Sequence, residues 1–342
     1  MEFLRSLLRR RPSADQSTDE VFANAVDSAI SVIEPPEAVV PPRFARGPLP
    51  SPFARVTVGL TFDGGVLRIV AAQRGRIVFW DTVPFDPRMA PGAAIAEPFN
   101  LGRFIRDAIR RRGVPTRRLH CAISGAGAIV RVVDVPGRLN RRRKDLHVSE
   151  ALRSIGISPS RHYVFSQPLD PTADSESVFC VAIPRDVMRS SVETMRAAGV
   201  RPRSFDTIPL AIARGIGAPD AVIVSVGQLA ADIAIIVDDL PLLVSRRPFG
   251  SDATLDEARE LTIDALVAAL REVEDTYVGT RVSRTIPIYL VGDAANDLRL
   301  ADRARRATGH PIGRPSPMID CPEDFPADEY LANVGLILKE EL

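Results

Sequence analysis

The chain has 342 residues, 45% hydrophobic and 25% charged, with 44 basic against 43 acidic side chains and a formal net charge of +1. That is ordinary globular composition on a chain long enough for two domains, and the near-zero charge excludes a general attraction to nucleic acid. Three scattered cysteines (Cys121, Cys180, Cys321), four histidines without i,i+4 spacing and no apolar run of about 20 residues argue against a disulfide framework, a metal centre and a bilayer span. A cytoplasmic location is expected.

At the start, Phe3, Leu4, Leu7 and Leu8 fall at helical spacing, with Arg5, Arg9, Arg10 and Arg11 around and after them. A basic amphipathic turn of this kind suits an anionic membrane surface, or serves as a stub for a partner; Phe3, Leu4, Arg9 and Arg10 are its contact candidates. It lacks the apolar stretch and small-residue cleavage site of a signal peptide. A helix is expected over 19–33. Prolines at 35, 36, 41, 42, 48, 50 and 52 then make a stiff, extended linker, so residues 1–52 precede a folded body that begins near Phe53.

In the body, Val56–Leu60, Val66–Ala72 and Ile77–Val83 are apolar runs broken by Asp63-Gly64-Gly65 and Arg74-Gly75-Arg76, and read as three antiparallel strands. Leu101, Phe104, Ile105, Ala108 and Ile109 mark a helix that Asn100 can cap and Gly113 ends. Leu119–Val135 holds two apolar runs about Gly125-Ala126-Gly127. The cluster Arg138, Arg141, Arg142, Arg143 and Lys144 reads as a solvated face or loop, or as a contact for phosphate head groups or an acidic partner. A helix over 146–155, strands over 163–169 and 178–183, a helix over 185–198 closed by Gly199, a short strand over 203–206 and a short helix over 208–214 follow.

From Ala221 the order strand, strand, strand, helix, strand returns: AVIVSVG, ADIAIIVDD and LPLLVSRR, a long helix over 255–277, and a strand ending at Val291. Helices over 297–308 and 330–339 complete the chain. Two copies of one arrangement predict two similar sheets facing across a cleft: a first half over 53–218, carrying an insertion at about 126–184, and a second over 219–342.

Several segments resemble an actin-like, ribonuclease H-like duplicated α/β fold, and within it the PilM-like type IV pilus assembly proteins. VGLTFDGGVLRIVAAQRG (58–75) is similar to the opening glycine loop, and IVRVVDVPG (129–137) to the strand entering the inserted subdomain. VFCVAIPRDVMRSSVETMRAAGVRPRSFDTIPLAIARGI (178–216), VIVSVGQLAADIAIIVDDLPLLVSRRPFG (222–250), IYLVGDAAND (288–297) and YLANVGLILKE (330–340) continue it in register. The resemblance implies a cleft in which two hairpin turns wrap ATP phosphates and two Asp-x-Gly carboxylates organise Mg²⁺ through water. The implied nucleotide positions are Thr61, Asp63, Gly64, Gly65, Ser225, Gly227 and Gly292; Gly64, Gly65 and Gly227 also read simply as turn glycines.

This sequence departs from that pattern where the chemistry is densest. Thr61 and Ser225 stand where the two acids belong, Asp63 stands where a glycine belongs, and the adenosine-loop Gly-Gly reads Gly292-Asp293. Gly250-Ser251-Asp252 leads almost directly into the long helix, leaving out a lobe that usually covers the nucleotide. The expectation is therefore a pseudo-ATPase, with no catalytic residues and no metal. Its implied role is a scaffold that docks the N-terminal segment of a PilN-like inner-membrane protein near Arg131, Val133 and Pro136. The alternative is an ATP-binding switch whose cleft closure regulates that partner.

Overall fold

A computed structural model describes residues 55–91, 95–125, 127–136, 139–171, 175–227, 230–250, 253–277, 282–292 and 294–341. The basic amphipathic turn with Phe3, Leu4, Arg9 and Arg10, the helix expected over 19–33, and the proline linker lie outside these residues.

Alternating apolar residues build β1 (Val56–Asp63), β2 (Val66–Gln73) and β3 (Arg76–Pro84), an antiparallel meander. Both hairpins close in two residues at positive φ: Gly64 and Gly65 at 58° and 80°, Arg74 and Gly75 at 52° and 73°. Loops of that kind match the right-handed twist of the strands they join. Helix α1 (Pro98–Arg112) and β4 (Leu119–Ile123) follow, and β4 lies parallel to β1. Glu97, rather than Asn100, precedes the first turn of α1, because Pro98 is preorganised for the opening position; Asn100 sits inside the turn and donates to the Glu97 carboxylate at 2.7 Å.

The chain then leaves the sheet. β5 (Ile129–Pro136), α2 (Arg141–Ser154), β6 (His162–Pro171) and β7 (Ser175–Pro184) form a separate antiparallel sheet, order β5-β7-β6, with α2 covering one face through Val148 and Leu152. The basic cluster at Arg141–Lys144 is the first turn of α2, capped by Asn140, rather than a loop. Helix α3 (Arg185–Ala197), β8 (Ser204–Thr207) and α4 (Ile208–Ile216) return to the first sheet.

The second sheet repeats the first strand for strand. β9 (Ala221–Val226), β10 (Ala230–Val237) and β11 (Leu240–Pro248) are its meander, followed by α5 (Leu255–Thr276), β12 (Ile288–Gly292), α6 (Leu298–Thr308), β13 (Ile312–Gly313) and α7 (Ala327–Glu341). The orders are β3-β2-β1-β4-β8 and β11-β10-β9-β12-β13, with the same parallel and antiparallel senses throughout. The likeness extends to an irregularity. Each second hairpin carries a bulge two residue pairs from its turn, opposite Ala71/Ala72 in one half and Ile235/Ile236 in the other. Asp238 and Asp239, at φ 52° and 63°, occupy the positive-φ turn that Arg74 and Gly75 occupy in the first half. The two-residue strand β13 has no apolar run to announce it and pairs with β12 alone.

Each sheet is covered on both faces. In the first, Val58, Leu60, Leu67 and Ile69 pack under α1 and α3, while Val70, Ala72, Ile77 and Trp80 pack against Tyr330, Val334, Ile337 and Leu338 of α7. The alternation along β2 follows from the two-residue period of a strand. α4 and α7 cross between the halves. Their backbones touch because Gly215 faces the Leu331 carbonyl and Gly335 faces the Ala211 carbonyl, where a Cβ has no room. Cys121 and Cys180 are buried and unpaired.

Candidate functional site

The cleft lies where β1 and β9 end facing each other. Thr61, Asp63 and Gly64 of the first half and Ser225, Gly227 and Gly292 of the second line it together. Six of the seven nucleotide positions read from the sequence therefore share one cavity; Gly65 is turned away, its missing Cβ facing Pro87 and the Phe85 carbonyl. Ile208 and Ile212 of α4 and Asp328, Glu329, Leu331, Ala332 and Asn333 of α7 complete the walls.

The cleft is held by its own side chains. Arg246 of β11 donates through Nη1 to Asp232 of β10 at 2.9 Å and through Nη2 to Asp63 of β1 at 3.3 Å. Arg246 and Asp232 come from the second half and Asp63 from the first, so the guanidinium ties the two together across the cleft. Burial, with the Asp63 charge adding to it, pushes the Asp232 carboxyl up to about 7 even though Arg246 opposes the shift. Its Oδ1 is buried with no hydrogen-bond partner among the described residues. Thr61 cannot replace a carboxylate, and its hydroxyl is engaged: it donates to the Asn333 Oδ1 at 3.3 Å. Asn333 in turn donates to the Gly59 and Arg68 carbonyls, each at 3.0 Å. This locks α7 onto β1 at a glycine whose Cβ would strike the Asn333 carbonyl.

Gly64 at the end of β1 and Gly227 at the end of β9 thus line one cavity, but the charge there is of the wrong sign for a phosphate site. Asp63, Asp232, Asp328 and Glu329 line the cavity against Arg68, with Arg246 already committed to two of those acids. With Arg246 paired to Asp63 and Asp232, the acids of the walls still outnumber the cations, which opposes the approach of a triphosphate. Among the described residues no cluster of three or more His, Cys, Asp or Glu is arranged to hold a metal ion. The sequence reading omitted Arg246 and Asn333. Both lie in segments that resemble the family, 222–250 and 330–340, but neither is a motif position, so only their placement reveals them.

The residues expected to meet a partner lie elsewhere, on β5. Arg131 donates to Glu272 of α5 at 2.9 Å, and the neighbouring Val132 N–H to the Tyr277 hydroxyl at 3.3 Å. Val133 is half-buried beneath α2 and Pro136 is exposed. β5 thus fastens the inserted sheet to the second half, while β6 is the open edge, with Tyr163 and Phe165 exposed and the Arg185 guanidinium 4.2 Å over the Tyr163 ring.

By sequence the chain matches no protein-family model and no curated protein. By structure it is similar to the PilM–PilN type IV pilus biogenesis complex, with a TM-score of 0.63 and 19% identity, over 83% of this chain and 98% of that one. Ethanolamine utilization protein EutJ from Carboxydothermus hydrogenoformans follows at 0.50 and 14%, over 85% and 91%. The fold is actin-like. At these identities the likeness establishes architecture and not activity. Within the actin-like fold the Arg246 cluster stands in the interlobe cleft, and α4 and α7 are the two crossed helices beneath it.

Proposed function

We propose that the protein is a non-catalytic scaffold of a type IV pilus or secretion-type assembly, peripheral to the inner membrane, which docks the N-terminal segment of a PilN-like membrane protein. The observation that carries the non-catalytic part is the Asp63–Arg246–Asp232 cluster: an intramolecular guanidinium already sits among the acids of the phosphate position. Partner docking draws support from the pilus complex of similar fold and from the outer edge of β6, which no strand among the described residues pairs and where two aromatics are exposed.

Two measurements test this reading. Calorimetric titration with Mg-ATP is expected to give no saturable heat; saturable micromolar binding supports the ATP-switch reading instead. Co-purification with a single-span membrane protein is expected to be lost on Phe165→Ser together with Tyr163→Ser, and retained on Arg246→Met. Retention in the aromatic double variant removes β6 as the docking edge.

A further inference from the structure

The charge that is balanced over the chain is not balanced over its surface. Between Pro98 and Arg118 there are seven arginines and one acid, Asp107, with no lysine. Two of the seven are held inward, Arg112 by buried Asp81 and Arg118 by Glu340. The buried stripe of α1 is Leu101, Ile105, Ala108 and Ile109; Arg103, Arg110 and Arg111 point away from it into solvent, and Arg106 is half-exposed. Phe99, at the head of the helix, is 59% exposed, and Phe99, Arg103, Arg106 and Arg110 run along one side at i, i+4, i+7 and i+11.

α1 does not stand alone. Gly102 lets it settle against Thr194 and Ala197 of α3, so the two helices form one outer layer over the first sheet. Arg189 and Arg196 of α3 and Arg201 just beyond it are exposed in that layer, against Asp186 and Glu193. Arg185 joins the layer to the β6 edge through Tyr163.

We propose that this arginine face, centred on Phe99, Arg103 and Arg110, is a docking surface for an anionic phospholipid bilayer. Arginine is the side chain that grips phosphate oxygens in pairs, and each basic residue near such a surface adds to binding. An exposed aromatic at one end of a basic helix adds apolar insertion at the headgroup boundary. A layer with one exposed aromatic lacks the stacking platforms and groove of a nucleic-acid site. The surface is distinct from the amphipathic turn at Met1–Arg11, and vesicle binding requires no protein partner, so the assignment does not depend on docking at β6.

The test is co-sedimentation of the full chain with phosphatidylglycerol/phosphatidylcholine vesicles at about 0.1 M salt, where charges are screened beyond about 10 Å. Saturable binding that weakens with added salt and vanishes on pure phosphatidylcholine is expected. Arg103→Glu with Arg110→Glu is expected to weaken it at least about tenfold, and Phe99→Ser severalfold. The same charge change on α6, Arg305→Glu with Arg306→Glu, is expected to leave it unaltered; unchanged thermal unfolding checks that the variants fold. Absent binding by the wild-type chain overturns the proposal. So does equal loss in the α6 variant, or loss confined to Arg9→Glu with Arg10→Glu. Capture by duplex DNA more tightly than by vesicles, abolished by the α1 variant, overturns the lipid assignment.

Discussion

At the scale of single residues, Arg246 decides what the cleft is. Removing one partner from a buried charged cluster leaves the others uncompensated, a larger effect than the net worth of the cluster itself. Arg246→Met strands Asp232, whose side chain is 6% exposed, and the more open Asp63. A loss of about 3 kcal/mol is expected in urea unfolding at neutral pH, because the buried carboxyl must then either ionise without its cation or take up a proton. Adding Asp232→Asn to the same chain should return much of it; no recovery would mean that Arg246 acts by packing alone. A smaller effect belongs to Arg74, an exposed residue held at φ 52° in the two-residue turn between β2 and β3. Asn tolerates that conformation and Asn-Gly is the favoured pair for such a loop, so Arg74→Asn should stabilise the fold by about 0.5 kcal/mol, read as a raised Tm.

At the scale of elements, α7 is the part on which the most depends. It contributes Asn333 to the cleft and Tyr330 and Val334 to the core of the first sheet. It is tied to α4 by Arg214, which pairs with buried Asp206 at 2.9 Å and donates to the Gly335 carbonyl of α7 at 2.9 Å. A Cβ on Gly335 would fall inside the Ala211 carbonyl, and neither helix can withdraw without opening a sheet interface. Gly335→Ala is therefore expected to cost at least about 3 kcal/mol or to abolish soluble expression, while Gly113→Ala, where nothing lies within 4 Å and only the left-handed φ of 63° is strained, should cost about 1 kcal/mol. The same helix sets a pH dependence. Burial drives the His120 imidazole down to about 4, only partly opposed by the Glu340 carboxylate 3.7 Å away. Its unfolded value is about 6.5, so the stability from keeping it neutral is complete above that pH and is lost as pH falls from about 6.5 to 4, by about 3 kcal/mol. Asp232 runs the other way: its raised carboxyl makes stability fall as pH rises from about 4 to 7. Measured in an Asp232→Asn background, the midpoint denaturant concentration should drop steadily below pH 6.5; a flat profile there would refute the His120 assignment.

At the scale of the whole molecule, two like sheets meet through crossed helices and are tied across the cleft by the Asp63–Arg246–Asp232 ion pairs. A ligand that binds only the folded state raises stability by RT ln(1 + [L]/Kd), about 2.7 kcal/mol at a hundredfold excess over Kd. Millimolar Mg-ATP is accordingly expected to leave Tm unmoved, and a shift of several degrees would show that the cleft opens to nucleotide.

The duplicated order of strands and helices was legible in the sequence because apolar periodicity and turn residues are local properties. Runs such as Val66–Ala72 and Ala230–Val237 become strands wherever they sit, and Gly64-Gly65 closes a hairpin without help from distant residues. The residue types at Thr61 and Ser225 could also be read, since neither side chain supplies a carboxylate in any fold. Glu97 at the head of α1, the helical first turn at Arg141 and the pair β12–β13 were less legible, because each is settled by a neighbour rather than by its own pattern. What only the tertiary structure decided is which side chains meet in the cleft. Arg246 is far from Asp63 along the chain, and Asn333 farther still from Gly59; a charge finds its counterion, and a carbonyl its donor, through space.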